Sequence, residues 1–487
     1  MRSGHDGWRA HEALAARRGR VLAVGSWADV RGLRAPGARE VDLDGGCALP
    51  GLADAHCHLL GYALARRGLA AGSARSREGL LGLVRAAAAE APPGGWLVGR
   101  GWDEEAWPDR RPPSREELDA AAGGRPALVA RVCGHAAIAS TAALARAGLE
   151  AGEWPLREAA MAAVAGAVPR PGRAEARRLL RAALRECRDL GIAQVQTDDV
   201  ASAGGLDEAL ALYGAEAGPS AARVRVTLML PHGRLAETRE RGVRTGWGDA
   251  WLRAGHVKVF ADGSLGARTA ALRRPYADDP GTRGTLLLAP DELREAVTGV
   301  HRAGCQLGIH AIGDRALHAA LEALAEAQAA APRADARHRL IHCQITGPDT
   351  LAAMRAGGVV ADIQPAFWTS DAPWLERRVG PDRAAASYAW RAMLDLGIPA
   401  CGGSDCPIEP LDPMRGIAAA VERGLTVAES LDLLTRGAAY ATFEEGVRGS
   451  LAPGMAADVT ALDGDPFEAG PAGLGALRAR LTLVGGA

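Results

Sequence analysis

Lysine is nearly missing from this chain: Lys258 is the only one among 57 basic residues in a sequence of 487. A surplus of either charge is missing too, since 57 Lys+Arg against 58 Asp+Glu leave a formal net charge of −1, with the two signs interspersed. Such a chain has no electrostatic footprint for nucleic acid or an anionic membrane. No uncharged apolar run reaches the roughly 18 residues of a membrane helix, and residues 1–20 carry charges without the apolar centre of a signal peptide. The eight cysteines include no CxxC pair, and Cys57, Cys343 and Cys406 sit directly beside histidine or aspartate motifs. That placement argues against a disulfide framework and for reduced thiols in a cytoplasmic protein. No GxGxxG follows a strand and no GxxxxGK[ST] occurs, which weakens a nucleotide-binding reading. No solenoid repeat is found.

What the chain does have is alternation. Strand-like runs at 127–132, 193–197, 224–230, 256–260, 306–310, 339–342, 359–364 and 398–402 are separated by helical stretches such as 291–303, 315–331 and 349–356. Alanine, glycine and arginine dominate, yet Ala-rich segments such as 174–192 keep periodic leucines and still read as helices. Alternating strands and helices predict a parallel sheet. With eight or so repeats, a closed α/β barrel of the (β/α)₈ type is preferred to an open sheet. Short strands at 21–25 and 41–49, with a turn and strand over 446–462, predict a small β-sandwich domain built from both termini. The organisation expected is therefore 1–50 and 446–487 as two parts of the small domain, around a barrel at 51–445.

Five segments carry residues with metal chemistry. His56-Cys57-His58 ends an apolar run, and in a strand residues i and i+2 share a face. Lys258 lies in the apolar run His256-Val257-Lys258-Val259-Phe260; a bare ammonium inside a barrel is costly and must be paired, neutral or modified. Since every other cationic side chain is arginine, an amine at this position points to a pKa that shifts or to a nucleophilic nitrogen. His310 and His342 each end a strand-like run, and Asp405 follows Gly402-Gly403-Ser404. Each has an ordinary reading: strand-end histidines, a lysine that snorkels out or pairs with a carboxylate such as Asp262, a helix N-cap for Asp314. Together they put metal-type residues on five strands, near the ends where a (β/α)₈ barrel builds its site. Four imidazoles and a carboxylate suit zinc, and also manganese, iron or nickel.

The wording around these residues resembles the amidohydrolase superfamily: LPGLADAHCHL, HVKVFADGSLGARTAAL, IHAIGDRAL, RLIHCQ, GGSDCPIEPLDP and GSLAPGMAADVTALDGDP. Within it, the chain is similar to the amidohydrolase-3 group of YtcJ-like proteins and N-substituted formamide deformylases, from about residue 21 onward. The resemblance implies hydrolysis of a non-peptide C–N bond with one or two divalent ions, zinc first among the candidates. It implies that His56 and His58 hold the more buried ion, and His310 and His342 the more exposed one. Lys258 matches a lysine that in many relatives is carboxylated at its nitrogen and bridges two metals. Asp405 matches the aspartate that contacts the metal and moves the proton. His135 and, within Arg100-Gly101-Trp102-Asp103, Trp102 match segments near the substrate pocket. A small-molecule substrate is the expected partner, with homo-oligomerisation left open. Cyclic imide, lactone or ester hydrolysis on the same centre, or a non-catalytic binding protein on the same fold, are the alternatives. The chain departs from the family pattern in three places: no clear strand is expected in 1–20, the usual last short strand is not expected, and 148–158 is short.

Overall fold

The computed structural model describes residues 2–3 and 7–487. Its central sheet has eight parallel strands: β1 (Leu52–Cys57), β2 (Ile192–Thr197), β3 (Arg225–Pro231), β4 (Leu252–Phe260), β5 (Leu307–Ala311), β6 (Arg339–His342), β7 (Val360–Ile363) and β8 (Ala400–Gly402). Each strand pairs in parallel with its neighbour in this series. The sheet curls until its two ends meet. Just beyond β8, the Asp405 amide donates to the His56 carbonyl and the His58 amide donates to the Cys406 carbonyl, both at 2.7 Å. Glycine is required at this seam, because a Cβ on Gly403 would stand 2.4 Å from the His56 nitrogen. The near-closed barrel is the α/β architecture expected from the alternation of strands and helices.

The outer layer follows from the same patterning. The helix Asp314–Ala330 buries Ala316, Leu317, Ala320, Leu321, Ala323, Leu324 and Ala327, an apolar stripe at helical spacing that packs on the barrel. Its N-cap is Gly313, so Asp314 is its first residue rather than its cap. The barrel strands are buried along most of their length, as parallel strands covered by helices must be. Among the described residues no helix is long and apolar enough to cross a membrane.

One expected barrel strand lies elsewhere. Ala127–Arg131 belongs to a second, five-stranded sheet inserted between β1 and β2, together with Leu69–Ala70, Leu97–Trp102, Ala136–Ala139 and Leu156–Arg157. This sheet has hydrophobic clusters of its own, around Trp102, Trp107 and Val129 and around Leu128, Leu144 and Leu156. The place it left in the barrel is taken by β1, inside the run 52–60. A short apolar run announces a strand but not the sheet it joins.

The terminal strands form a small β unit. Val459–Leu462 pairs antiparallel with both Cys47–Pro50 and Ala479–Leu483. A hairpin of Ala13–Arg17 and Arg20–Gly25 packs nearby, with Val21, Ala48, Leu451, Ala457 and Val459 forming the shared core. Two of these strands correct the sequence reading. Ala13–Arg17 pairs across an Arg18-Gly19 turn in which both residues have positive φ (53° and 78°), the geometry that tight hairpins need. Ala479–Leu483 supplies the last strand. The strand expected over 41–49 is confined to Cys47–Pro50, because Asp44 and Gly45 (φ 46° and 80°) turn the chain just before it.

Candidate metal centre

The barrel brings His56, His58, Lys258, His310, His342 and Asp405 to one end, where the C-terminal ends of its strands meet. β1 delivers His56; the strand stops at Cys57, and His58 is the N-cap of the helix Leu59–Ala65. β4 carries Lys258, β5 His310 and β6 His342, while Asp405 follows β8. One ligand atom each of His56, His58 and Asp405 lie within 4.8 Å of one another. The His56 ring centroid is 5.6 Å from that of His58 and 5.7 Å from that of His342, and His342 is 4.4 Å from His310. All but His58 are almost fully buried. His342 and Asp405 have φ of 77° and 54°, a left-handed conformation that costs a non-glycine residue about 1–2 kcal/mol. Such strain persists where the surroundings enforce it, and it is concentrated at functional positions.

Hydrogen bonds orient three of the four imidazoles. Nδ1 of His58 faces the Asp198 carbonyl at 3.1 Å, Nε2 of His310 faces the Gly263 carbonyl at 3.0 Å, and Nδ1 of His342 faces Gln364 Oε1 at 2.7 Å. Gln364 donates its own amide to Asp362, so its oxygen is the atom turned to His342. Each acceptor requires an N–H, which in the neutral imidazoles of His310 and His342 leaves the opposite nitrogen with a lone pair. Those two lone pairs face each other, with His310 Nδ1 and His342 Nε2 3.1 Å apart, while His58 Nε2 lies 3.2 Å from Asp405 Oδ1, a bond that raises the His58 pKa against the effect of burial. Burial pushes His310 well below the usual imidazole range and His342 down to about 3, so no proton settles between those two. Nδ1 of His56 is buried without a hydrogen-bond partner. Three imidazoles that burial keeps neutral, His56, His310 and His342, together with His58 and the Asp405 carboxylate, form a donor set that fits a divalent cation.

Around this set lie Lys258 and Asp262, which the sequence brought forward, and Arg339, Asp362 and Gln364, which it did not single out. Lys258 Nζ sits 3.0 Å from His56 Nε2 and 4.6 Å from the centre of the Phe260 ring, and burial lowers its pKa. Asp262 does not pair with it, because its carboxylate accepts the amides of Ala271, Ile312 and Gly313 at 2.8, 3.0 and 2.8 Å. Deeper in the barrel, Arg339 donates to Asp362 Oδ2 at 2.6 Å and to the Ala55 carbonyl at 2.7 Å; both charged side chains are fully buried. Asp362 Oδ2 stands 3.9 Å from His56 Nδ1. Of these partners only Gln364 had a visible signal, as the polar end of the apolar run 359–364. For Asp405, burial would raise the pKa, but the bond to His58 and the nearby His342, His58 and Lys258 outweigh it and hold the carboxyl below its usual value.

A cavity opens over these residues, walled by the barrel rim and by turns of the inserted sheet. One lobe is lined by His135, His310, His342 and Asp405 together with residues following β6 and β7. A second, more open lobe is lined by His58, Lys258 and Phe260 with Arg100 and Gly134. His135 belongs to both walls; its Nδ1 lies 3.0 Å from Glu158, and its ring centroid is 5.3 Å from that of His310. Trp102 does not join them. It is 1% exposed in the core of the inserted sheet, its indole N–H donates to the Val129 carbonyl at 2.9 Å, and it lines neither lobe. Its neighbour Asp103 reaches the cavity instead, bound to Arg131.

Barrel, terminal β unit and histidine-aspartate cluster together are the layout of a barrel hydrolase. The chain belongs to the amidohydrolase family, which matches residues 39–487. It is 31% identical over 484 residues to the protein YtcJ of Bacillus subtilis (strain 168), covering 93% of this chain and 90% of that one. It is 25% identical over 522 residues to the N-substituted formamide deformylase of Arthrobacter pascens, covering 98% and 94%. Among solved structures, an uncharacterized metal-dependent hydrolase from Pyrococcus furiosus superposes with a TM-score of 0.76 at 28% identity, covering 95% of this chain and 97% of that one.

Proposed function

We propose that the protein is a metal-dependent hydrolase that cleaves an amide or N-substituted formamide C–N bond of a small molecule. The observation that carries this reading is the pair of bare nitrogens on His310 and His342, 3.1 Å apart, beside the His56, His58 and Asp405 cluster. His56, His58 and Asp405 would hold one ion and His310 and His342 a second, with zinc suited to this nitrogen-rich set. A divalent ion there supplies Lewis acidity toward a carbonyl and hydroxide at neutral pH. Asp405, held ionised, takes a proton from the attacking water and delivers it to the leaving nitrogen, which departs poorly as an anion. Asp198, Gly263 and Gln364 keep the imidazoles turned inward. We assign Lys258 to carboxylation. Burial lowers the pKa of its amine, which in the uncharged form would form an N–C bond to CO₂ and lose a proton, so that an anionic carbamate would stand where an ammonium would repel the metal. The likeness to a formamide deformylase supports the choice of bond.

Elemental analysis of the purified protein should find one or two divalent ions per chain. The metal-loaded protein should hydrolyse members of a panel of N-formyl, N-acyl and cyclic amides. Lys258→Ala should lower metal content and activity together, and a short carboxylic acid should restore part of both. Absence of divalent metal would sink the reading; turnover of lactones or esters with none of the amides would move it to the neighbouring chemistry.

A further inference from the structure

The lobe beyond His342 has two acidic side chains in its wall that no ion pair engages. Asp371 and Glu409 line it together with Gln344, Phe367 and Trp374. Asp371 is 8% exposed and accepts one hydrogen bond, from the Tyr388 hydroxyl; Glu409 accepts one, from the Ser370 hydroxyl. Among the described residues neither has a cationic side chain within ion-pair distance. Arg415 acts on Glu409 from beyond ion-pair distance, and two other neighbouring guanidinium groups are committed elsewhere. Arg131 holds Asp103 at 2.7 Å and Glu104 at 2.8 Å, while Arg378 holds Asp278 at 2.8 Å and also Glu105. His135 is paired with Glu158. Burial raises Asp371 to about 7 and Glu409 to about 8, outweighing the arginine charges that act on each from a distance, so a cation seated beside them would favour their ionised forms.

A second observation is independent of these charges. Gln344, 2% exposed, lines the same lobe, and its Oε1 has no hydrogen-bond partner. Buried polar atoms are nearly always paired, so an unpaired acceptor in a cavity wall marks a position for a donor on a ligand. Phe367 and Trp374 complete the wall with aromatic surface, and the Trp374 ring already packs against the Arg378 guanidinium, 5.0 Å from its centre. Two acidic side chains without an ion-pair partner, one orphaned acceptor and aromatic rings all favour the same guest, a cation that donates hydrogen bonds.

We infer that this lobe is a recognition subsite for an organic cation, a guanidinium or primary ammonium carried by the uncleaved part of the substrate. The inference rests on the proposed hydrolase reading only in taking the lobe as part of the substrate's seat. Two assays on the metal-loaded full chain separate the two claims. The first measures binding of hexylguanidinium against its neutral counterpart hexylurea by calorimetry. A guanidinium is protonated at neutral pH, so it does not act as a metal ligand. The cation should bind at least about ten-fold more tightly, the range expected of a charge-assisted hydrogen bond. That ratio should fall toward one in Glu409→Gln, and further when Asp371→Asn is added. If the double variant fails to fold, Glu409→Gln alone decides. Equal affinity for the two probes, or a ratio unmoved by the variants, would overturn the subsite. The second assay compares turnover of N-(4-guanidinobutyl)formamide with N-(4-ureidobutyl)formamide. Preference for the first supports both claims. Cation binding with turnover of neither upholds the subsite and removes the hydrolase reading, whereas equal turnover of both keeps the hydrolase and removes the subsite.

Discussion

The barrel rim and the inserted sheet face each other across one cavity, and they hold their residues in different ways. At the rim, three of the four inward imidazoles are anchored by an acceptor from another strand end: His58 by Asp198 after β2, His310 by Gly263 after β4, His342 by Gln364 after β7. Parallel register fixes those spacings, so donor atoms arrive within hydrogen-bonding distance of one another. In the inserted sheet the cavity residues lie both on strands, as Arg100 and Arg131 do, and on turns. His135 sits between the strands Ala127–Arg131 and Ala136–Ala139 and is held by Glu158, just past a two-residue strand. A register lattice suits chemistry that fails with small displacements, and turns suit recognition that must vary from one substrate to another.

Four substitutions test that division, in order of decreasing effect. Replacing His56 and His58 together by alanine should release at least one ion per chain and take turnover to background; unchanged metal by elemental analysis would remove the ligand assignment. Asp405→Asn keeps the shape of the seam but not the base. Its turnover should fall roughly 10²–10⁴-fold while metal stays bound, and activity within a few-fold of wild type would assign the proton transfer to another group. Gln364→Leu removes the acceptor that orients His342 without touching a ligand directly. A loss of about 10–100-fold in metal affinity is expected, measured by chelator competition, and an unchanged affinity would show that the rim does not depend on its anchors. Trp102→Phe should cost only about 1–2 kcal/mol of stability through its lost bond to Val129. Its KM should not move; a shifted KM with unchanged melting would return Trp102 to the pocket.

The rim was largely legible because its chemistry is written locally. An apolar run that ends in histidine, as at 306–310 or 339–342, gives both the strand and the ligand, and β5 and β6 end as those runs suggest. What lay between the strands was less legible. The run at 127–132 reads like any barrel strand, and only tertiary packing around Val129 and Leu128 sends it to another sheet. Glu158 and Asp198 are ordinary acids in sequence, and their proximity to His135 and His58 depends on folds of the chain 23 and 140 residues long. Ala13–Arg17 escaped notice because alanine marks strands weakly, and its evidence lay in the Arg18-Gly19 turn.

The seam where the barrel closes has a consequence for synthesis. Ser404 and Asp54, bonded across it, are 350 residues apart, and His56, His58 and Asp405 gather only when the first and last strands meet. A chain leaving the ribosome therefore carries half a metal site for most of its translation, with β1 lacking its neighbour across the seam until β8 has emerged. Pairings of such long sequence separation are slow to form, and unpaired strand edges invite association with other chains in the meantime. Capture of the ion can then serve as a timer for the whole fold: the moment at which metal becomes tightly held reports that the last barrel strand has docked.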